Sequence, residues 1–476
     1  MRPKLGRMAN VRHGRSRGSA MRLLVAKFRL NRVKQLARRR VSHNGRQPPR
    51  DCDTISTPEG PPDHPERPPE TVRAGVPRAT VPAMLRSGGV LVCATSLPGL
   101  VAENGDLIIT RKFIDGMACY AALWKGKSRA LVRASSQHTD NLDNIRVRPA
   151  DLPFELRVLG AEEPWENGTD GAAVVLAPLG IEFTDLAQVL RVRGVPLVYI
   201  TELSLRTRLQ IVRSLGVHPL RQLHKFAWEA RAERTYRKAL GLSQGVQCNG
   251  TPTFRAYQAV SPDAMLYFDS RSTAEMLATP DHLTARFARS RQNGVLRLAF
   301  SGRLIPIKGV DHLVPLAAAL RARNVPFTLS IYGAGQCEAE MRRAIAKEGL
   351  EAQVTLGGNL DFATELTPRI RDTADLFLCC HRQGDPSCTY LETMSVGVPV
   401  LGYANEAFAG LLEHVDAGRA TPMDDVQRLA DAVTAVARDR DTLELWSQNA
   451  LRFAREHTFE QTFERRIDHA RRLARR

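Results

Sequence analysis

The sequence predicts an α/β chain of two Rossmann-like domains facing across a cleft, behind a disordered basic N-terminal extension. Three observations predict it. Short apolar runs alternate with helix-length segments from Gly89 onward, the pattern of parallel sheets covered by helices. Charge is piled at one end: residues 1–88 hold 20 Lys and Arg against 6 Asp and Glu, a net of +14, leaving only +4 of the chain's +18 for everything after. Finally, Phe300 to Tyr403 reads strand, glycine-bearing loop, helix, strand, and closes with a glutamate on a short capped helix.

Residues 1–88 are also rich in Pro, Ser and Gly, notably from Gln47 to Val81, a composition that cannot build a core. Within it, Met21 to Arg40 has the makings of a basic amphipathic helix suited to an anionic membrane surface. Nucleic acid is a weaker fit, because few aromatic residues interleave the charges for stacking. A start site placed too early, with Met84 as the working start, explains the same segment equally well.

The first domain is expected over residues 89–294. Val90–Ala94, Ala130–Val132, Ala173–Leu176 and Leu197–Ile200 read as buried strands of a parallel sheet. Gly105 marks a turn after Asn104, and Lys112, Phe113, Gly116 and Met117 follow on an early loop and helix. Gln247 to Pro252 reads as a further turn, its Asn-Gly pair favouring positive φ. None of the eight cysteines forms a C-x-x-C pair, which suits reduced thiols rather than a zinc site or disulfide framework. No apolar stretch reaches the roughly 18 residues that span a bilayer, and no secretory signal is visible. The expectation is a cytoplasmic protein, peripheral on the membrane's inner face if the basic segment docks there.

The second domain, residues 295–455, opens with the apolar run Val295–Phe300, followed by Ser301-Gly302-Arg303-Leu304-Ile305-Pro306-Ile307-Lys308-Gly309. Ligands of open parallel sheets bind beyond the strands' carboxyl ends. Arg303 and Lys308 stand there as a rigid fork and a mobile point charge, a pair able to clamp a diphosphate. Ala374–Cys380 reads as a buried strand carrying one charge. Turn formers follow from His381 to Ser387, and a helix begins near Ser387 or Cys388 and stops at Gly397, with Pro399 beyond. Glu392 therefore sits near that helix's start, where a carboxylate can accept both hydroxyl protons of a ribose. Asp441 to Arg476 reads as helical, with Trp446, Phe453, Phe459 and Phe463 as packing residues.

Residues 295–455 resemble the donor-binding domain of retaining glycosyltransferases of family 4, which have the GT-B fold. The resemblance rests on the order and spacing of four motifs: Gly302-Arg303-Leu304 with Lys308-Gly309, Tyr332-Gly333-Ala334-Gly335, Val354 to Leu360, and Leu391-Glu392-Thr393-Met394 with Gly397-Val398-Pro399-Val400. It implies that Arg303 and Lys308 bind the donor diphosphate, Glu392 the ribose and Leu360 the base. Gly335, Ser387, Cys388 and Thr389 are grouped with them as donor-binding residues. It also implies that residues 456–476 form a helix crossing back to the first domain, which would bind the acceptor.

The sequence departs from the family in two places. Family members usually carry two glutamates eight positions apart, and eight before Glu392 is Gly384. Asp385 is the candidate replacement, with capping of the next helix as its alternative role. Several members have a histidine after an internal strand of the first domain; here Leu197–Ile200 is followed by Thr201-Glu202, making Glu202 the catalytic candidate. His138 and His224 are lesser candidates, and Arg206 and Arg208 are more in keeping with a solvated helix face than with phosphate. What the resemblance implies is transfer with retention from a nucleotide-sugar, a UDP-sugar expected, to a glycan or lipid-linked acceptor of bacterial envelope or exopolysaccharide synthesis. No cofactor and no metal are expected, because the cations answer the leaving diphosphate. A nucleotide-sugar epimerase of the same fold, or a nucleotide-sugar binding protein unable to transfer, remain the alternatives.

Overall fold

The computed structural model describes residues 88–102, 104–135, 144–214 and 217–475; the basic extension with its candidate helix, and His138, lie outside the described residues. The first sheet contains β1 (Gly88–Val101), β2 (Leu107–Thr110), β3 (Gly126–Ser135), β4 (Asn144–Val147), β5 (Glu155–Leu159), β6 (Ala172–Pro178), β7 (Leu197–Thr201), β8 (Gly245–Asn249) and β9 (Ala264–Tyr267). The order β5-β3-β1-β6-β7-β8-β9 is parallel throughout. Its central strands are covered on both faces, which is why they read as unbroken apolar runs: Leu91, Val92, Leu131, Val132, Val174, Val175, Leu176 and Val198 are fully buried.

A purely parallel sheet is not what forms. β2 pairs antiparallel with the far end of β1, and β4 pairs antiparallel with β2. β1 is long, and a register shift between Ala94 and Pro98 bends it past its parallel neighbours. The edge at Leu100 and Val101 is taken up by β2 through a turn at Gly105, whose φ is +83°. That turn is closed by the Gly105 amide donating to the Ala102 carbonyl at 2.9 Å.

The second sheet runs β12 (Val354–Gly358), β11 (Phe327–Tyr332), β10 (Leu296–Ser301), β13 (Leu376–Cys379), β14 (Val400–Tyr403), β15 (Gly418–Thr421), all parallel. Asp375, just before β13, is almost fully buried and accepts from the Arg297 backbone and Nε at 3.0 Å each. In both sheets chain order reverses once, between β1 and β6 and between β10 and β13. Such reversals open a crevice beyond the strands' carboxyl ends.

The helix Pro280–Asn293, placed by sequence before a boundary at 294, packs on the second domain instead. Leu283 joins Ala278 and Leu451 in a small cluster, and the Arg286 guanidinium donates to the carbonyls of Arg371 at 2.7 Å, Val396 at 2.8 Å and Gly397 at 2.5 Å. It thereby satisfies carbonyls that the helix Thr389–Ser395 leaves open at its end. The chain accordingly crosses between the domains soon after β9.

The C-terminal region is two helices, the second being the one expected to cross back. Arg440–Arg455 keeps Trp446 in the second domain's core, and Phe453 packs beside it. Phe459–Ala474 returns to the first sheet, where Phe463, Ile467, Ala470 and Leu473 share a cluster with Leu91, Val174, Leu176 and Val198. Among the described residues, no helix is long and apolar enough to cross a membrane.

Candidate functional site

The loop leaving β10 places Lys308 in a short 3-10 turn, Pro306–Lys308, ended by Gly309 at φ +66°. A side chain there would put its Cβ 2.0 Å from the Cys380 carbonyl oxygen, so glycine is what lets this loop lie on the one leaving β13. Lys308 is buried, and its Nζ reaches Asp385 Oδ2 at 3.2 Å. Asp385 thus faces the lysine across the crevice rather than capping the following helix, which has no side-chain cap. Arg303 is exposed, and among the described residues no ion pair or side-chain hydrogen bond holds it.

The helix Thr389–Ser395 starts one or two residues later than the sequence suggested. Glu392, mostly buried, is held by Arg271: Nε to Oε1 at 2.6 Å and Nη2 to Oε2 at 3.2 Å. The same guanidinium lies 3.9 Å over the Phe362 ring. Around these groups is a cavity of about 400 Å³. Of the residues singled out from sequence, Lys112, Glu202, Asp385, Ser387, Cys388, Thr389 and Glu392 are among those that line it. Arg303, Lys308, Gly335 and Leu360 do not. Gly335, at φ +158°, presses its backbone against Leu304, where a Cβ would meet the carbonyl oxygen at 2.5 Å. Leu360 packs on the apolar cluster around Phe377 and Leu391.

A second cavity, about 660 Å³, fills the crevice of the first sheet, between the ends of β1, β6 and β7. Lys112, Phe113, Gly116 and Met117 line it, but Gly105 does not. Lys112, Glu202, Leu203 and Asp269 line both cavities, so the two meet there. Lys112 Nζ binds Asp269 Oδ2 at 2.5 Å and approaches Cys388 Sγ at 3.2 Å, linking the first domain to the start of the Glu392 helix. Burial alone would raise the Asp269 carboxyl, yet the Lys112 ammonium beside it holds it below the usual range. Burial pushes the Cys388 thiol up to about 12, with Asp269 adding to the effect. Glu202 is open to the cleft but surrounded by protein on its other sides; that desolvation raises its carboxyl, against the pull of Lys112.

Other expectations need correcting. Arg208 is not on a solvated helix face: its largely buried side chain binds Glu229 and Glu233 at 2.8 Å each and the Leu203 carbonyl at 3.0 Å. Arg206 is exposed, in keeping with a solvated face, and His224 is exposed too. Gln247 to Pro252 is not a turn but the junction of β8 with the helix Gly250–Tyr257, and only Gly250 takes positive φ, at +73°. Asn249 lines the smaller cavity from that junction and accepts from the Asp269 amide at 3.2 Å. Gly384 is bonded across the domains: its amide donates to Gln210 Oε1 at 3.0 Å and its carbonyl accepts from Thr207 Oγ1 at 3.2 Å. A Cβ there would stand 2.9 Å from Glu406 Cβ, a physical reason for the missing glutamate. Sequence reasoning missed Arg271 and Asp269, whose partners lie far away in the chain and share no motif with them.

Residues 283–453 match the family model described as glycosyl transferases group 1. Over 146 residues the chain is 30% identical to a GDP-mannose-dependent alpha-(1-6)-phosphatidylinositol monomannoside mannosyltransferase of Mycobacterium tuberculosis, covering 29% of this chain and 37% of that one. Over 141 residues it is 32% identical to the amylovoran biosynthesis glycosyltransferase AmsK of Erwinia amylovora, covering 28% and 34%. The match therefore spans little more than a third of these relatives' length. The structure resembles that of Anabaena Alr3699/HepE in complex with UDP, with TM-score 0.57, 14% identity, and coverage of 80% of this chain and 98% of that one. It also resembles WaaG, a glycosyltransferase involved in lipopolysaccharide biosynthesis, with TM-score 0.50, 14% identity, and coverage of 80% and 99%. The fold is GT-B.

Proposed function

We propose that the protein, whose residues 283–453 match the glycosyl transferases group 1 model within a chain of GT-B fold, is a retaining, metal-independent hexosyltransferase using a UDP-sugar. The observation that carries this reading is the meeting of two crevices at Lys112, Glu202, Leu203 and Asp269. A donor in the smaller cavity presents its sugar where an acceptor in the larger one presents its hydroxyl. Glu392 accepts from the ribose hydroxyls, with Arg271 holding it in place. Lys308 and Arg303 neutralise the diphosphate as the bond from the anomeric carbon to phosphate oxygen breaks. Stabilising charge that develops on a leaving group is usually the largest catalytic term. The acceptor oxygen attacks on that same face and passes its proton to the departing phosphate oxygen, so the anomeric configuration is kept. Asp385 and Glu202 hydrogen-bond the sugar from opposite sides. The proposed setting is glycan or glycolipid assembly, on the cytoplasmic side.

UDP-sugar in preference to GDP-sugar is supported only by the UDP complexes of the fold relatives, while a matched mannosyltransferase is named for GDP-mannose. Calorimetric titration of the full chain with UDP, GDP and ADP decides. We expect saturable UDP binding, lost in Glu392→Ala and weakened in Arg303→Ala. No nucleotide binding from folded protein would sink the reading, and an inverted product anomer by NMR would sink its stereochemistry.

A further inference from the structure

On the reading that the larger cavity takes the acceptor, we propose that this acceptor has an apolar body carrying an anionic group, carboxylate or phosphate, and that Arg466 is the group that recognises it. Arg466 comes from the helix Phe459–Ala474, on the face that packs against the first sheet. It is 7% exposed and lines the cavity. Its position is fixed on every side but one. Gln247 holds it twice, accepting from Arg466 Nε at 2.9 Å and donating to its backbone carbonyl at 2.8 Å. The guanidinium lies over Tyr267 at 4.4 Å, Phe463 at 5.1 Å and Tyr120 at 5.5 Å.

What Arg466 lacks is a counter-charge in contact: Asp269 and Glu202 on the same wall act on it only through space. Among the described residues no carboxylate forms an ion pair with Arg466, and neither Nη donates to a protein acceptor. The other cations on the wall are answered: Lys112 by Asp269, Arg208 by Glu229 and Glu233. A buried guanidinium without an ion-pair partner is costly, and a ligand anion can supply that contact. Tyr120, stacked beneath it, adds a buried hydroxyl with no hydrogen-bond partner. The rest of the wall is largely apolar, including Leu97, Phe113, Met117, Leu179, Ile200 and Phe463. A planar fork suits carboxylate and phosphate alike, and Glu202, at the junction with the donor cavity, would repel the anion and leave that end to the hydroxyl.

The test titrates the full chain at neutral pH with three probes: 4-hydroxycinnamate, its uncharged methyl ester, and 4-nitrophenyl phosphate. At least one anion should bind about tenfold more tightly than the ester, the effect of a charge-assisted contact. That advantage should vanish in Arg466→Met while UDP binding is unchanged; Arg466→Lys, keeping the charge without the fork, should retain part of it. Carboxylate and phosphate arms tell the two sources apart. Equal binding of acid and ester, an anion advantage that survives Arg466→Met, or no binding of any probe by folded protein would overturn the proposal. If Arg466→Met does not fold, the acid-to-ester ratio of the wild type decides alone. Anion binding without any nucleotide binding would instead remove the transferase reading and leave this site standing.

Discussion

Replacing Gly384 by glutamate would restore the family's usual pair of carboxylates, and the structure predicts that it damages the protein. A Cβ at this position sits 2.9 Å from Glu406 Cβ and 3.4 Å from Thr207 Oγ1. Thr207 is fully buried and cannot swing into solvent. Forcing a side chain into a packed contact costs about 1–3 kcal/mol. The two hydrogen bonds from Gly384 to Gln210 and Thr207 are worth about 1 kcal/mol each. Even about 2 kcal/mol lost from the arrangement that brings the domains together means roughly a 30-fold smaller population of it. The assay is UDP release from a UDP-sugar, beside UDP affinity and a thermal melt. Gly384→Glu should release UDP roughly 30-fold more slowly and melt earlier while binding UDP as the wild type does, with Gly384→Ala between the two. Wild-type turnover and melting in Gly384→Glu would refute the reasoning, because the contact between domains would then be dispensable.

Three further outcomes are expected. Asp385→Asn releases Lys308 from its 3.2 Å partner, so UDP should bind about threefold more tightly while UDP release from a UDP-sugar slows; weaker UDP binding would show the pair to be structural. Burial, helped by Arg465 and His414, pushes His457 from 6.5 down to about 4, and burial takes His381 well below its ordinary value. Both are neutral when folded and protonate when unfolded, so stability is lost as pH falls from 6.5 towards 4. Chemical denaturation across that window should show a shallower pH slope for His457→Phe, and an unchanged slope counts against the assignment. Deleting residues 457–476 removes Phe463, Ile467 and Leu473 from the first core, roughly 6 kcal/mol of burial against a whole-domain stability of about 5–15. Soluble, folded protein from that deletion would refute the packing account.

What could be read from sequence depended on whether the chemistry was local. Lys308 and Gly309 lie within one loop, and Glu392 follows a strand and its turn formers, so spacing alone brings them to one end of a sheet. The Lys112–Asp269 contact joins residues 157 positions apart, and Arg271 meets Glu392 across 121; nothing in either neighbourhood announces its partner. The helix Pro280–Asn293 was misplaced because its arginines look like a solvated face, whereas Arg286 is 2% exposed and caps carbonyls of the other domain. Arg466 was passed over for the same reason, among Arg465, Arg471 and Arg472. A signal did exist: Phe459, Phe463, Ile467, Ala470 and Leu473 recur at helical spacing, and Arg466 falls on that stripe. A charge on an apolar stripe is informative in a way that a charge in a basic helix is not.

The returning helix Phe459–Ala474 also sets a timetable. The first sheet is made before the second domain, yet side chains that help close one of its faces are made only after it. Domains ordinarily fold as they emerge, the N-terminal one first. Here the apolar face formed by Leu91, Val174, Leu176 and Val198 has the cover of Ile114, Met117 and Tyr120 from its own domain, but not yet that of the returning helix, while the second domain is synthesised. The first domain therefore completes its core only when a segment from beyond the second domain reaches it, which ties the folding of the two together.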